Sequence, residues 1–317
     1  MGEIASGAVE AARVADADEF AAAPEPAGAA SEIPGLVDDG ASEWDTARKV
    51  ELAKAVERAA RDADSRIAAV ETTVFVDERA AAALVSSRGV SGAYEATYCY
   101  AYLQAIAEAD GDRQTGLGFG MGRSPFAGRL GEEVGSEALT LTDDGADPAG
   151  LNSAPFDGEG MPTGRTALIE RGRLAAYLHD SYTARREGEG ARSTANAARG
   201  GYRSAPSVSS SNLIVAPGEL GFEELLAEAG EGVYVTDVAG LHSGVNPVSG
   251  TFSVGATGRV IAGGELAEPA DEFTIASDLA SMLASVRAAG SAPRWVPFGG
   301  SVSTPALLVG EMAVGGA

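Results

Sequence analysis

From Ser124 to the C-terminus every apolar run in this chain is short, and each is closed by Gly, Asp or Pro. The runs sit in "EALTLTDDGADPAG", "RTALIERGRLAAYLHD", "SSNLIVAPGEL", "EGVYVTDV", "TFSVGATGRVIAGGEL" and the closing "TPALLVGEMAV". Apolar stretches of that length between turn residues read as strands, because Gly, Asp and Pro supply the backbone angles at which strands end. Three segments break the pattern and predict helices: "AAYLHDSYTARREG", "FEELLAEAG" with Gly230 as its C-terminal stop, and "DEFTIASDLASMLASVRAAG" with Ile275, Leu279, Met282, Leu283 and Val286 on one stripe. With 6% aromatic residues and 42 glycines, the core must come from Ala, Val, Leu and Ile with many close backbone contacts.

Upstream the texture differs. Residues 1–41 are rich in Ala, Glu, Asp and Pro and predict an irregular, poorly ordered segment. "SEWDTARKVELAKAVERAARDAD" predicts a helix, with Ser42 as cap, Asp45 completing a capping box, and Val50, Ala53, Val56 and Ala60 on one face. "ETTVFVDE" and "AALVSSRGVSG" predict short strands. "GAYEATYCYAYLQAIAEADGD" predicts a long strand alternating Tyr94, Tyr98, Tyr100 and Tyr102 and turning at Asp110-Gly111. The fold class is α+β: a partial N-terminal α/β domain over 42–122, then a strand-rich, Gly-rich C-terminal domain with a few helices over 123–317.

Formal charge excludes some partners. At −23 the surface repels nucleic acid and anionic membranes. Lys49 and Lys54 are the only lysines, so the cations are almost all Arg. That balance fits a halophile-like acidic protein whose self-repulsion is screened by salt; a GC-rich genome also favours Arg over Lys. The N-terminus has no basic, then apolar, leader, and no run approaches 18 apolar residues, so a cytoplasmic location is expected.

Few motifs carry chemistry. Gly116, Gly118, Gly120 and Gly122 repeat at every second position, unlike the G-x-G-x-x-G of a dinucleotide turn, and Pro125 follows where a helix should run. Such spacing clears one strand face for close backbone packing. The one cysteine, Cys99, lies among tyrosines and reads as a small buried hydrophobe. His179 and His242 stand 63 positions apart, so neither belongs to a two-histidine metal helix. No G-x-S-x-G elbow is present. "SVSSSN" exposes Ser210, Ser211 and Asn212 ahead of a strand, and "HSGVNPVSG" holds His242, Asn246 and Ser249; both could contact an extended peptide. Asp157 and Glu159 form a polar glycine turn that could act in acid–base work or simply shape the loop. The residues alone give no catalytic and no metal-binding constellation.

Read in order, "SPFAGRLGEEVGSEALTLTDD", "SAPFDGEGMPTGRTALIERGRLAAYLHDSYTA", "STANAARGGYRSAPSVSSSNLIVAPGE", "GVYVTDVAGLHSGVNPVSGTFSVGATGRVIAGGE" and "TPALLVGEMAVGG" resemble the C-terminal domain of the TldD/PmbA family of peptidase-related proteins. The resemblance runs from Ser124 to Ala317, with a weaker one over 42–122. It implies a heterodimer of two related subunits acting on unfolded or small peptides. The TldD type carries an HExxxH helix and zinc or a similar metal; the PmbA/TldE type lacks those ligands. "GLHSGVNPVSGTFS" and "LHDSYTARREG" are similar to the latter. The resemblance thus implies a non-catalytic partner of an HExxxH-bearing TldD-type subunit, without cofactor of its own and inactive alone. It also implies that "GFGMGR" is a seam, and that the chain is shortened at its N-terminus and before "SPFAGRLGE". A stand-alone peptide-binding protein or degenerate paralogue, and an enzyme of another class using Asp157, Glu159 or His242, are the competing readings.

Overall fold

The computed structural model describes residues 2–14, 18–40, 43–63, 67–109, 112–114, 126, 128–201, 204–246, 249–296 and 300–316. The glycine repeat at 116–122 and the Asp110-Gly111 turn lie outside them, as does Ser42. The fold is α+β, with several sheets and short helices.

Helix α1 (Gly2–Val14) is followed by an irregular stretch and by α2 (Thr46–Ala63). Asp45 caps α2, its Oδ1 accepting from the Arg48 N–H at 2.7 Å. The inward face keeps three of the four predicted positions and loses only Val50. Val50 points to solvent, while Leu52, Ala53, Val56 and Ala60 are half-buried. Trp44 stacks on Phe75, and Lys49 pairs with Asp77 at 3.0 Å, which fixes α2 over the strand that follows.

That strand, β1 (Ile67–Val85), is a single 19-residue element rather than short pieces. Its Ala-rich half has helical propensity, but continuous pairing with β2 (Ser91–Ala109) overrides it, from Val85↔Ser91 to Ile67↔Ala107. A short β3 (Asp112–Gln114) joins the edge of β2. The register puts Tyr94, Tyr98 and Tyr100 on one face with Val76 and Ala82, while the predicted fourth member, Tyr102, has its side chain outside the described ones. Cys99 pairs with Asp77 on the opposite face, the one that carries α2. It is exposed, not buried, because α2 lies chiefly over β1.

The remaining strands are β4 (Leu141–Asp144), β5 (Arg165–Glu170), β6 (Arg173–Leu174), β7 (Ala197–Ala198), β8 (Ser207–Val208), β9 (Asn212–Val215) and β10 (Gly232–Ala239). After these come β11 (Thr251–Ala262), β12 (Glu265–Asp278), β13 (Val286–Ala289), β14 (Arg294–Val296), β15 (Ser301–Thr304), β16 (Leu307–Val309) and β17 (Ala313–Gly315). Interspersed are α3 (Ser181–Glu187), α4 (Phe222–Ala229), α5 (Leu241–Gly244) and α6 (Leu279–Ala284). One sheet runs β14-β15-β9-β4-β5-β6, with β15 and β9 parallel. A second, antiparallel sheet runs β10-β11-β12-β17. The first buries Val134, Leu139, Ile169 and Leu174; the second buries Val254, Ala256, Phe273 and Ile275.

Two predicted helices are shorter than their patterns. Asp180 caps α3 through the Thr183 N–H (2.7 Å), and the Asp180 N–H donates back to Thr183 Oγ1 (3.1 Å), so the helix starts only at Ser181. The stretch after Asp271 is mostly strand. Phe273 and Ile275 alternate inward and pair with Ala256 and Val254, and that period of two prevails over the helical stripe. Asp278 then caps the six-residue α6. The predicted stop at Gly230 holds, with φ +69° and its N–H on the Leu226 carbonyl.

Segment 18–40 contains no helix or strand and is fastened at several points. Arg185 donates to the carbonyls of Phe20 (2.8 Å) and Ala22 (2.7 Å). Ser31 bonds Pro155 and Thr163, and the Thr97 N–H donates to the Leu36 carbonyl. The β1–β2 turn meets the loop before β5 through Tyr94 and Phe156, whose rings cross edge-on at 5.3 Å. Gly160 in that loop has φ +83°, and a Cβ there would overlap Val90. Gly160→Ala is therefore expected to destabilise the protein by about 1–3 kcal/mol in urea unfolding; an unchanged midpoint would show that the turn does not pack as described.

Candidate functional site

The polar positions of the sequence fall into two groups. The first lies beneath β9, where the chain leaves a serine run and enters a parallel pairing with β15. Asn212 opens β9 and is 0% exposed. Its carboxamide donates to the Asp144 carbonyl (2.6 Å) and to Ser153 Oγ (3.0 Å), and it accepts from the Asn152 N–H (2.9 Å). Ser153 Oγ in turn donates to the Asp147 carbonyl. Gly150 has no side chain because a Cβ would overlap that carboxamide. Asn212 is thus an interior tie between β9 and the loop after β4.

Next to it Asp143, 1% exposed, points from β4 under the serine run. Its carboxylate accepts from the Ser211 N–H (2.7 Å), from Ser211 Oγ (2.7 Å) and from Asn196 Nδ2 (2.6 Å). Asn196 also donates to the Ser209 carbonyl at 3.1 Å. Ser210 between these ties is half-buried, and its carbonyl accepts from Ser209 Oγ at 3.3 Å.

Asp157 and Glu159 join the same layer. Asp157 accepts the N–H groups of Glu159 and Met161, each at 2.9 Å, and of Ala197 at 3.1 Å. Glu159 Oε2 accepts the Ser181 N–H at 2.8 Å, at the start of α3. A continuous polar layer therefore runs from α3 through Glu159 and Asp157 to Ala197 and Asn196, then to Asp143 and Ser211.

Burial dominates the titration of two members. It raises the Asp143 pKa against the opposing donors Ser211 and Asn196, with Asp144 adding to the rise. It raises the Asp157 pKa against three backbone donors, with Glu159 adding to the rise. A carboxylate already held by two or three donors has little capacity left to take a proton from a substrate.

The second group sits in the other sheet, at the entry to β11. His242 lies on α5. Asn246 closes the next turn, its Oδ1 accepting from the Ser249 N–H (3.1 Å) while its own N–H reaches the Thr251 carbonyl (2.8 Å). Ser249 Oγ meets Thr251 Oγ1 at 2.8 Å. Pro247 and Val248 between them lie outside the described residues.

Asp143 and Asn196 were missed in the sequence. The one signal was an acidic residue within the alternating "TLTDD" strand, where an apolar side chain would be usual.

Comparison with known proteins assigns the class. The family description "PmbA/TldA metallopeptidase C-terminal domain" matches residues 104–316, and "PmbA/TldA metallopeptidase central domain" matches 39–142. The chain is 33% identical over 187 residues to Metalloprotease PmbA of Escherichia coli O157:H7, covering 59% of this chain and 38% of that protein. It is 42% identical over 132 residues to the uncharacterised protein MJ0231 of Methanocaldococcus jannaschii, covering 42% of this chain and 30% of that one. The crystal structure of TldE from Thermococcus kodakarensis superposes with a TM-score of 0.81 at 22% identity, over 98% of this chain and 83% of that chain, and so shares the fold. The chain belongs to the TldD/PmbA metallopeptidase family. Its match spans only 30% and 38% of the lengths of these two curated relatives.

The family is described as a metallopeptidase family, and the described residues do not form a ligand set for a metal. Among the described residues no group of three His, Cys, Asp or Glu side chains converges. The buried carboxylates face backbone and amide donors, which a cation would have to displace.

The raised pKa of Asp143 sets a pH signature. A group that binds its proton more tightly folded than unfolded favours the fold at low pH, and this contribution fades as pH rises from the unfolded value of about 3.9 through the raised folded value. Wild type is therefore expected to lose stability relative to Asp143→Asn as pH rises through that window, in paired urea titrations. A difference constant with pH would contradict it.

Proposed function

We propose that this chain is the non-catalytic partner subunit of a heterodimeric, cytoplasmic metallopeptidase that cleaves unfolded or small peptides. It pairs with an HExxxH-bearing TldD-type subunit, which holds the zinc or similar metal. The observation that carries this reading is the fate of the chain's acid–base groups. His179 and His242 are 63 positions apart, and Asp143, Asp157 and Glu159 accept backbone and amide hydrogen bonds that hold loops together. Family membership supports proteolysis as the setting.

In this reading Ser211 and Asn212 shape the rim from below, while Ser210, His242, Asn246 and Ser249 are the residues that meet the peptide. Asp157 and Glu159 brace the rim and do no chemistry.

The test is co-expression with the same organism's HExxxH-bearing relative in high salt, followed by size-exclusion chromatography and a peptidase assay on an unfolded substrate. Co-elution is expected, with cleavage that a chelator abolishes and that this chain alone does not show. Two folded proteins eluting separately would refute the pairing. Turnover by this chain alone, insensitive to chelator, would refute the non-catalytic role.

A further inference from the structure

A groove of about 1130 Å³ is lined chiefly by α4, β10 and residues 304–312, and by none of the polar-layer residues. Its walls are largely apolar and include Phe222, Leu225, Tyr234, Leu307, Val309 and Val314. Residues 231–235 and 304–312 line it without a break. A sheet face would contribute only alternate residues, so unbroken runs mean that these segments present their backbones as well as side chains.

Two of the lining strands are edges. Strand β10 ends its sheet, and β16 has β13 on one side and no strand on the other among the described residues. The Gly290 N–H donates to the Ala306 carbonyl, and the Gly310 N–H to the Ser285 carbonyl, so positions 306 and 310 turn toward β13. By antiparallel alternation the N–H and C=O groups of Leu307 and Val309 point the other way. An open apolar edge of this kind is a template for one more strand.

The groove is balanced in charge within an acidic chain: Arg287 and Arg294 line it together with Glu231, which accepts the Gly263 N–H at 2.9 Å, and Glu311. Arg287 is paired with Glu228 at 3.5 Å, whereas Arg294 on β14 has no ion pair among the described residues. A guanidinium with no carboxylate partner among the described residues, beside an apolar edge, suits a carboxylate brought in by the occupant.

We propose that this groove takes one extended peptide with alternating apolar side chains, added as a strand to the free edge of β16, with its C-terminal carboxylate on Arg294. This deepens, and rests on, the reading of the chain as a peptide-handling subunit.

The probe is a dye-labelled seven-residue peptide of alternating valine and threonine with a free C-terminus, titrated against the purified chain by fluorescence anisotropy in high salt. Binding is expected to weaken about tenfold or more in each of three cases: when alternate peptide nitrogens are methylated, when its C-terminus is amidated, and in Arg294→Glu. Val309→Pro, which removes one outward N–H and no bond to β13, should weaken binding similarly. Thermal unfolding of both variants establishes that they fold, and if Val309→Pro does not, the peptide analogues and Arg294→Glu still decide.

Equal binding of the methylated and parent peptides would overturn strand addition. Indifference to amidation and to Arg294→Glu would overturn the carboxylate contact. Self-association that Arg294→Glu abolishes, with no peptide binding, would make a second copy the occupant and overturn the proposal. Because the assay needs neither the metal subunit nor turnover, its failure and a failure of subunit pairing are read separately.

Discussion

The Asp143 carboxylate is the interaction on which the C-terminal architecture depends. It is almost wholly buried, and it survives burial because three donors reach it: the Ser211 backbone, the Ser211 hydroxyl and the Asn196 amide. Those donors come from segments 53 and 68 positions away in sequence. Asp143 thus fixes β4, the 193–198 loop and the entry to β9 relative to one another. Through Ala197, Asp157 extends the constraint to the Phe156–Pro162 turn, and Glu159 extends it to α3. Removing one partner would leave buried donors unsatisfied, at a cost of about 1–3 kcal/mol each. A polar layer of this kind specifies one arrangement of loops more sharply than an apolar contact would.

Much of the fold was legible in the chain because its signals are local. Strand β11 follows from the short apolar run of "TFSVGATGRVIA", closed by Gly263-Gly264, where both residues have positive φ. The α4 stop at Gly230 and the alternation of Tyr94, Tyr98 and Tyr100 were equally plain. The failures have physical causes. Ile275, Leu279, Met282, Leu283 and Val286 satisfy a helical period, but Phe273 and Ile275 also satisfy a period of two, and the neighbouring β11 decides between them. The Ala80–Ala83 run has helical propensity and becomes strand only because β2 pairs with it. Cys99 could be placed inside or outside only once the position of α2 was known.

The candidate site was less legible. Residue types at Asp157, Glu159, Ser211 and Asn212 marked polar positions correctly; the structure joins the first three in one layer and ties Asn212 beside it to the loop after β4. Their partners could not be read, because Asp143 and Asn196 meet them only through tertiary structure. Polarity alone does not distinguish a side chain that awaits a ligand from one that holds a loop. Asn212 belongs to the second kind, with its donors and acceptor all engaged. In the function proposed for it, the chain offers a braced scaffold and the metal comes from the partner.

The claim that one buried layer couples these loops is tested most directly by native-state hydrogen exchange on the wild type and Asp143→Ala. Amides of Ser211, Ala197 and Met161 should exchange with similar free energies in the wild type, since they hang on linked carboxylates. In Asp143→Ala the protection of all three should fall together by a comparable amount. Loss confined to Ser211, with Ala197 and Met161 unchanged, would contradict the account and make Asp143 a local contact.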